Sequence, residues 1–178
     1  TSLAFFRDAR VFLGMVANAA NGELAYALKG QPSRLIQLPC FGEADMAFDL
    51  PLDQSPGQRT LVNLQPARQS EQMAAQLHRA WAERKIGMLK TMGGSPSWAL
   101  LEAAKGTFVY VNRWTVQSAE PFDLAAGVFL LRQAGGEAVD LNNQPIDGFS
   151  HRSPFVAGLD RQALQEVAAI CQEQSRQA

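Results

Sequence analysis

A mixed α/β fold, with a mostly parallel sheet flanked by helices and an antiparallel hairpin ahead of it, is what the order of segments in this sequence predicts. Three observations carry that expectation. From Thr60 onward, short apolar runs alternate with helix-patterned stretches three times, which is the grammar of strands joined by helical crossovers. Glycine and proline fall between these segments rather than inside them, at Gly93-Gly94-Ser95-Pro96, Gly106 and Gly135-Gly136. Near the start, two β-compatible runs, Val11 to Ala17 and Glu23 to Ala27, flank a segment ending in Asn21-Gly22, whose residues accept the positive φ angles of a hairpin turn.

Taken in order, the hairpin is followed by a short run, Leu35 to Leu38, that suits a further strand. The stretch Cys40 to Gly57, with Pro51, Pro56 and several Asp residues, shows no period and is expected to be a long surface connection. Residues 1–59 and 60–178 then read as two stretches of one unit, the second being the α/β core. Thr60 to Leu64 is an apolar strand that Pro66 ends. Ser70 can cap a helix reaching about Lys85, with Met73, Leu77 and Trp81 recurring every fourth residue as an expected core stripe. Ile86 to Met92 is the next strand. Ser95 suits an N-cap and Pro96 the first position of a helix that runs to Lys105 and stops at Gly106. Thr107 to Asn112 is a strand, about Phe122 to Gln133 a helix closed by Gly135-Gly136, and Glu137 to Leu141 a strand. A polar turn, a short strand from Pro154 to Gly158 and a last helix capped by Asp160 complete the chain. On that helix Leu164, Val167, Ala168 and Cys171 share one face.

Composition excludes several functional classes. The chain has 178 residues, 47% of them hydrophobic and 19% charged, which suits a single packed core and argues against disorder. Its formal net charge of -1 lacks the basic excess that drives binding to a nucleic-acid polymer. No apolar run approaches the ~18 to 20 residues that cross a bilayer, so no membrane partner is expected. Cys40 and Cys171 are far apart, without CxxC or paired-His spacing, which points away from zinc and from a disulfide framework and towards a reducing, cytoplasmic setting. His78 and His151 lie near no nucleophilic Ser or Cys motif. The chain begins Thr-Ser-Leu without an initiator Met, as expected of a processed product or a piece of something longer.

Two places could carry chemistry. Gly93-Gly94-Ser95 opens a helix, where unsatisfied N–H groups and the positive end of the helix dipole attract anions; the same residues also read as an ordinary Ser-Pro cap. Asp123 stands in the first turn of its helix, either as a dipole-stabilising carboxylate or as an oxygen ligand for a hard cation such as Mg²⁺. Both positions follow expected parallel strands, at the end where open α/β sheets hold their ligands.

These residues also carry a family resemblance. Phe122-Asp123-Leu124-Ala125-Ala126-Gly127, followed by Arg132-Gln133-Ala134-Gly135-Gly136, resembles the Trp-Asp-x-Ala-Ala-Gly and Glu-Ala-Gly-Gly signatures of the inositol monophosphatase superfamily. Gly94-Ser95 and Ala104-Lys105-Gly106, with eleven positions from Ser95 to Gly106, resemble that family's Gly-Ser/Thr-x-x-x-Leu and Ala-x-Gly segment. The likeness extends through Asp140 to Asp147, Ser150 to Gly158 and the Gly14 to Gly30 hairpin, and is weakest from Cys40 to Gln58.

The resemblance implies an Mg²⁺-dependent phosphomonoesterase acting on inositol phosphates or related sugar phosphates. Asp123 would be a metal ligand and substrate contact, with Gly94 and Ser95 against the substrate. Arg113, seven positions after Gly106, stands where simple sugar phosphatases of the family often place a Glu, and it resembles the bisphosphate-nucleotidase branch, in which an Arg would meet a second phosphate. Pro96 and Phe122 depart from the family pattern. So does the absence of its Gly-Glu-Glu and Asp-Pro-Ile-Asp-Gly-Thr segments, which hold the other metal ligands. The resulting expectation is the C-terminal half of such an enzyme, completed by an N-terminal half of the same protein and, as family members commonly are, by a second copy in a homodimer. A degenerate, non-catalytic binding domain is the reading from another class.

Overall fold

A computed structural model describes residues 1–38, 46–52, 61–64, 71–91, 95–113, 121–151 and 153–172. The elements are β1 (Ser2–Arg7), β2 (Arg10–Asn18), β3 (Glu23–Leu28), β4 (Arg34–Gln37), β5 (Met46–Asp49), β6 (Leu61–Leu64), α1 (Glu71–Ala82), β7 (Met88–Thr91), α2 (Pro96–Ala104), β8 (Val109–Asn112), α3 (Pro121–Gln133), β9 (Glu137–Asp140), β10 (Phe155–Gly158) and α4 (Arg161–Gln172). They form two five-stranded sheets, ordered β1-β2-β3-β4-β5 and β7-β6-β8-β10-β9.

The expected mostly parallel sheet is corrected. The first sheet is antiparallel throughout. In the second, only β7-β6-β8 run parallel, while β10 is antiparallel to both β8 and β9. The reason lies in the connections: a parallel neighbour needs a crossover of a dozen or more residues, usually helical, whereas β9 returns to β10 through turns and bends. The expected hairpin is also only part of a larger meander. β1 escaped the sequence reading, and β5 occupies part of the expected surface connection, pairing Leu35 with Phe48 and Ile36 with Ala47. Cys40 lies outside the described residues.

Two cores stack the elements into four layers. One joins Val16, Ala25, Ala27 and Leu35 of the first sheet, through α2 and α3, to Tyr110, Phe155 and Ala157 of the second. The other lies on the opposite face of the second sheet, where Val62, Val109, Val111 and Val156 meet Leu77 of α1 and Leu164 and Val167 of α4. Helix α3, sandwiched between sheets, buries an unbroken run from Leu124 to Val128, whereas α1 and α4 bury a single stripe. On α1 that stripe is Met73, Leu77 and Ala80, and Trp81 is exposed, contrary to the expected pattern. Eight residues on from Met73 the helix has turned about 80° past its starting direction, while seven residues on it has nearly returned.

The α2–α3 contact depends on Gly127. A Cβ there would stand 2.8 Å from both Cβ and Cδ1 of Leu100 and 3.2 Å from Cα of Ser97. The double glycine after α3 has two separate reasons. Gly135 adopts φ +88°, and a Cβ on Gly136 would fall 2.7 Å from the carbonyl oxygen of Gly158 in β10. A buried ion cluster fastens the far end of α2 to the first sheet, with Lys105 Nζ 2.6 Å from Glu23 Oε1 and 2.6 Å from Glu102 Oε1.

The β1–β2 turn is less comfortable. Asp8 and Ala9 have φ of 50° and 57°, the left-handed pair of a tight hairpin turn, and alanine has neither the freedom of glycine nor a side chain that can hydrogen-bond locally there. Replacing Ala9 by Gly should therefore stabilise the chain by about 0.5–1 kcal/mol, seen as a higher midpoint in chemical denaturation. Gly127→Ala should cost about 1–3 kcal/mol by driving α2 from α3, read as a lowered thermal midpoint. An unchanged midpoint would mean that Leu100 can move aside freely.

Candidate functional site

The second sheet places the candidate residues by topology. β6 lies between β7 and β8, all three parallel. Helix α2 begins just beyond the carboxyl end of β7, and α3 follows the carboxyl end of β8, so both helix N-termini open on the same edge of the sheet. Chain order reverses about β6, the kind of switch point at which α/β sheets leave a crevice.

Ser95 sits at the N-cap of α2, as its sequence context predicts, but its side chain makes no capping hydrogen bond and the residue is exposed. Its backbone carbonyl accepts the first helical bond from Ala99 N, at 3.1 Å. Pro96 follows with no N–H to offer, so the first turn leaves the N–H groups of Ser97 and Trp98 without an intrahelical acceptor. Gly93 and Gly94 lie outside the described residues.

Asp123 is half-buried in the first turn of α3. Its backbone carbonyl accepts a hydrogen bond from Ser97 Oγ, and Ser97 is buried. That bond ties the opening turn of α2 to that of α3, the turns that carry Ser95 and Asp123. The sequence reading passed over Ser97. A serine two positions past a cap, on a helix otherwise filled with Ala and Leu, was the available signal, since a buried hydroxyl needs a partner.

Arg113 directly follows β8, whose last residue, Asn112, pairs in register with Phe155 of β10. It is only 7% exposed, and burial lowers its pKa from the usual guanidinium value, though it stays charged at neutral pH. Nearby, Asn112 Nδ2 donates to Tyr110 Oη at 3.0 Å, and burial raises the Tyr110 phenol above its ordinary pKa despite that bond. Tyr110 thus stays protonated as a structural group. The buried Cys171 thiol is pushed up to about 12 by burial, and the exposed His78 lies on α1, so neither adds reactive chemistry to the corner.

The donor set does not make a metal site by itself. Among the described residues, no group of three or more His, Cys, Asp or Glu side chains could hold an ion. One carboxylate leaves Mg²⁺ almost fully hydrated, so Asp123 could serve a metal only with ligands from outside the described residues.

The comparisons agree with this architecture. A sequence model of the inositol monophosphatase family matches residues 1–176, and the chain belongs to that family. No curated protein matches it. Among solved structures it is similar to the extragenic suppressor protein suhB from Bartonella henselae, at 18% identity and a TM-score of 0.69, covering 95% of this chain and 61% of that one. It is similar to the Thermotoga maritima IMPase at 20% identity and a TM-score of 0.68, covering 97% and 61%. Inositol monophosphatase-II from Staphylococcus aureus gives 18% identity and a TM-score of 0.70, covering 94% and 57%. Structures of SaIMPase-II hold 2′AMP and inositol monophosphate. The chain spans about three-fifths of the length of these proteins. The family match runs almost from end to end of the chain and lends no support to its framing as a C-terminal half. No helix among the described residues is long and apolar enough to cross a membrane.

Removing the Ser97 hydroxyl leaves the Asp123 carbonyl without this donor. Ser97→Ala should cost about 1–2 kcal/mol in urea denaturation. A loss below 0.3 kcal/mol, within the scatter of surface substitutions, would remove this bond from the account of how the two helix starts are held together.

Proposed function

We propose that this chain forms part of the active site of a phosphomonoesterase acting on inositol phosphates or related sugar phosphates. The observation that carries the reading is the corner where an uncapped Ser95 hydroxyl and the N-terminus of α2 stand beside the first turn of α3, in a chain that belongs to the inositol monophosphatase family. In this reading the phosphate oxygens meet the N–H groups of Ser97 and Trp98 and the Ser95 hydroxyl, which donate to negative charge without rearrangement. Gly94, carried over from the family pattern, lets the backbone approach the ester. Asp123 supplies an acceptor carboxylate at the same corner. Its proposed role as an Mg²⁺ ligand needs further ligands, which we assign to the share of the family's length that this chain does not span.

Arg113 favours a second substrate class. A buried guanidinium at the end of β8 would pair with a second phosphate, as in a 3′(2′),5′-bisphosphate nucleotidase, because its planar fork matches phosphate oxygens two at a time. The SaIMPase-II complexes support a small phosphate ester as ligand in either case.

The test is phosphate release from inositol 1-phosphate, fructose 1,6-bisphosphate and adenosine 3′,5′-bisphosphate, with and without Mg²⁺, by this chain and by a version extended to the family's full length. Activity in the extended protein should fall at least ~100-fold on Asp123→Asn, with the denaturation midpoint little changed. Undiminished turnover in that variant would sink the assignment, and silence from both proteins on every substrate would favour a degenerate, non-catalytic domain. Preference for the nucleotide bisphosphate, lost on Arg113→Ala, would select the second class.

A further inference from the structure

A cluster of basic side chains lies near the C-terminal end of α3, away from the candidate corner. The turn between β3 and β4 is held against the end of α3 by Gly30 N donating to Gln133 Oε1 at 3.0 Å. Asp123 is ten residues earlier on the same helix, about 15 Å away along its axis. Beside this turn is a half-open cavity of about 520 Å³, lined mostly by exposed side chains. Three cations from three strands line it: Arg7 at the end of β1, Arg10 at the start of β2 and Lys29 just past β3.

Their placement is built into the backbone. Arg7 and Arg10 are direct cross-strand partners on either side of the Asp8-Ala9 turn, and Lys29 N donates to the Phe12 carbonyl at 2.9 Å, which fixes it beside the same hairpin. Like charges facing each other across strands are unfavourable, and the strained Ala9 sits in the same turn. Among the described residues, no hydrogen bond or ion pair engages the side chains of these three residues or of Asp8, the carboxylate at the rim. With three cations against one carboxylate, the cluster is a net positive centre in a chain whose net charge is -1. Its floor carries apolar side chains, the half-buried Val11 and Phe12 and the exposed Leu28, against which the carbon part of a ligand can lie.

We propose that this cavity binds a small organic polyanion of the phosphate-ester class, its charged groups held between Arg7, Arg10 and Lys29 and its carbon part lying against Phe12 and Leu28. The concave shape favours a compact ligand over an acidic polymer, which would track an extended stripe of charge. The assignment is independent of the reading of the α2–α3 corner, because none of its residues belongs to that corner.

Isothermal titration calorimetry on the chain in EDTA, with inorganic pyrophosphate, phenyl phosphate and inorganic phosphate as probes, tests it. Saturable binding of pyrophosphate is expected, with phenyl phosphate held more tightly than inorganic phosphate because of the apolar floor. The double variant Arg7→Ala/Arg10→Ala should weaken pyrophosphate roughly tenfold or more. Asp8→Asn, whose residue type tolerates the left-handed turn, should strengthen it about two- to threefold, a gain that a misfolded protein could not show. Arg161→Ala, an exposed arginine at the start of α4 and outside the cavity lining, should leave binding unchanged. No saturable binding, insensitivity to the two arginines, an equal loss on Arg161→Ala, or tighter binding of a hexaglutamate peptide than of pyrophosphate would each overturn the proposal.

Discussion

The close crossing of α2 and α3 is the constraint on which the rest of the molecule depends. Both helices are buried between two sheets, so each must satisfy packing on several sides at once, and the space available is set by Gly127 against Leu100 and Ser97. Each buried Leu or Val in this layer contributes on the order of 1.5–3 kcal/mol through apolar burial, but only if the helices approach closely enough to leave no voids. The small residues Ala125, Ala126 and Gly127 in the middle of α3 make that approach feasible. From it follow the separation of the sheets, the direction in which α2 leaves β7, and the meeting of the two helix N-termini.

The proposed function rests on the same contact. A helix start is a weak anion site when alone, and an acidic residue in a first turn is common for electrostatic reasons only. The Ser97 side chain bonds the Asp123 backbone, which ties the first turn of α2 to that of α3. At the opposite end of α2, Lys105 bridges Glu23 and Glu102 in a nearly dry cluster, in which Glu23 Oε2 is buried without a hydrogen bond. Removing the lysine would strand two carboxylates, so this cluster locks the meander to the helix more by the penalty for breaking it than by the gain in forming it.

Local chemistry written in consecutive residues was legible. The α2 start at Pro96, the α4 cap by Asp160, which accepts from Gln162 N at 2.8 Å and Ala163 N at 3.2 Å, and the stop of α3 at Gly135 all stand where turn and cap residues put them. The family signature around Asp123 and Gly136 was equally legible, and Gly136 has a direct steric reason in the carbonyl of Gly158. Strands β1 and β5 were not, because a strand in a meander is defined by the partner it pairs with. Met46–Asp49 has no pattern of its own until it lies against Arg34–Gln37.

The sequence by itself determined the family and the starts of α2 and α4, because capping, turn preference and motif spacing act over a few neighbouring residues. Only the tertiary structure decided the direction of β10, the burial of Ser97 and Arg113, the exposure of Trp81 and the gathering of Arg7, Arg10 and Lys29 around one cavity. The direction of β10, the burial of Ser97 and Arg113 and the approach of Lys29 to the β1–β2 turn depend on contacts between residues distant in the chain. Such contacts are set by the packing of whole layers, and no local window of sequence contains both partners.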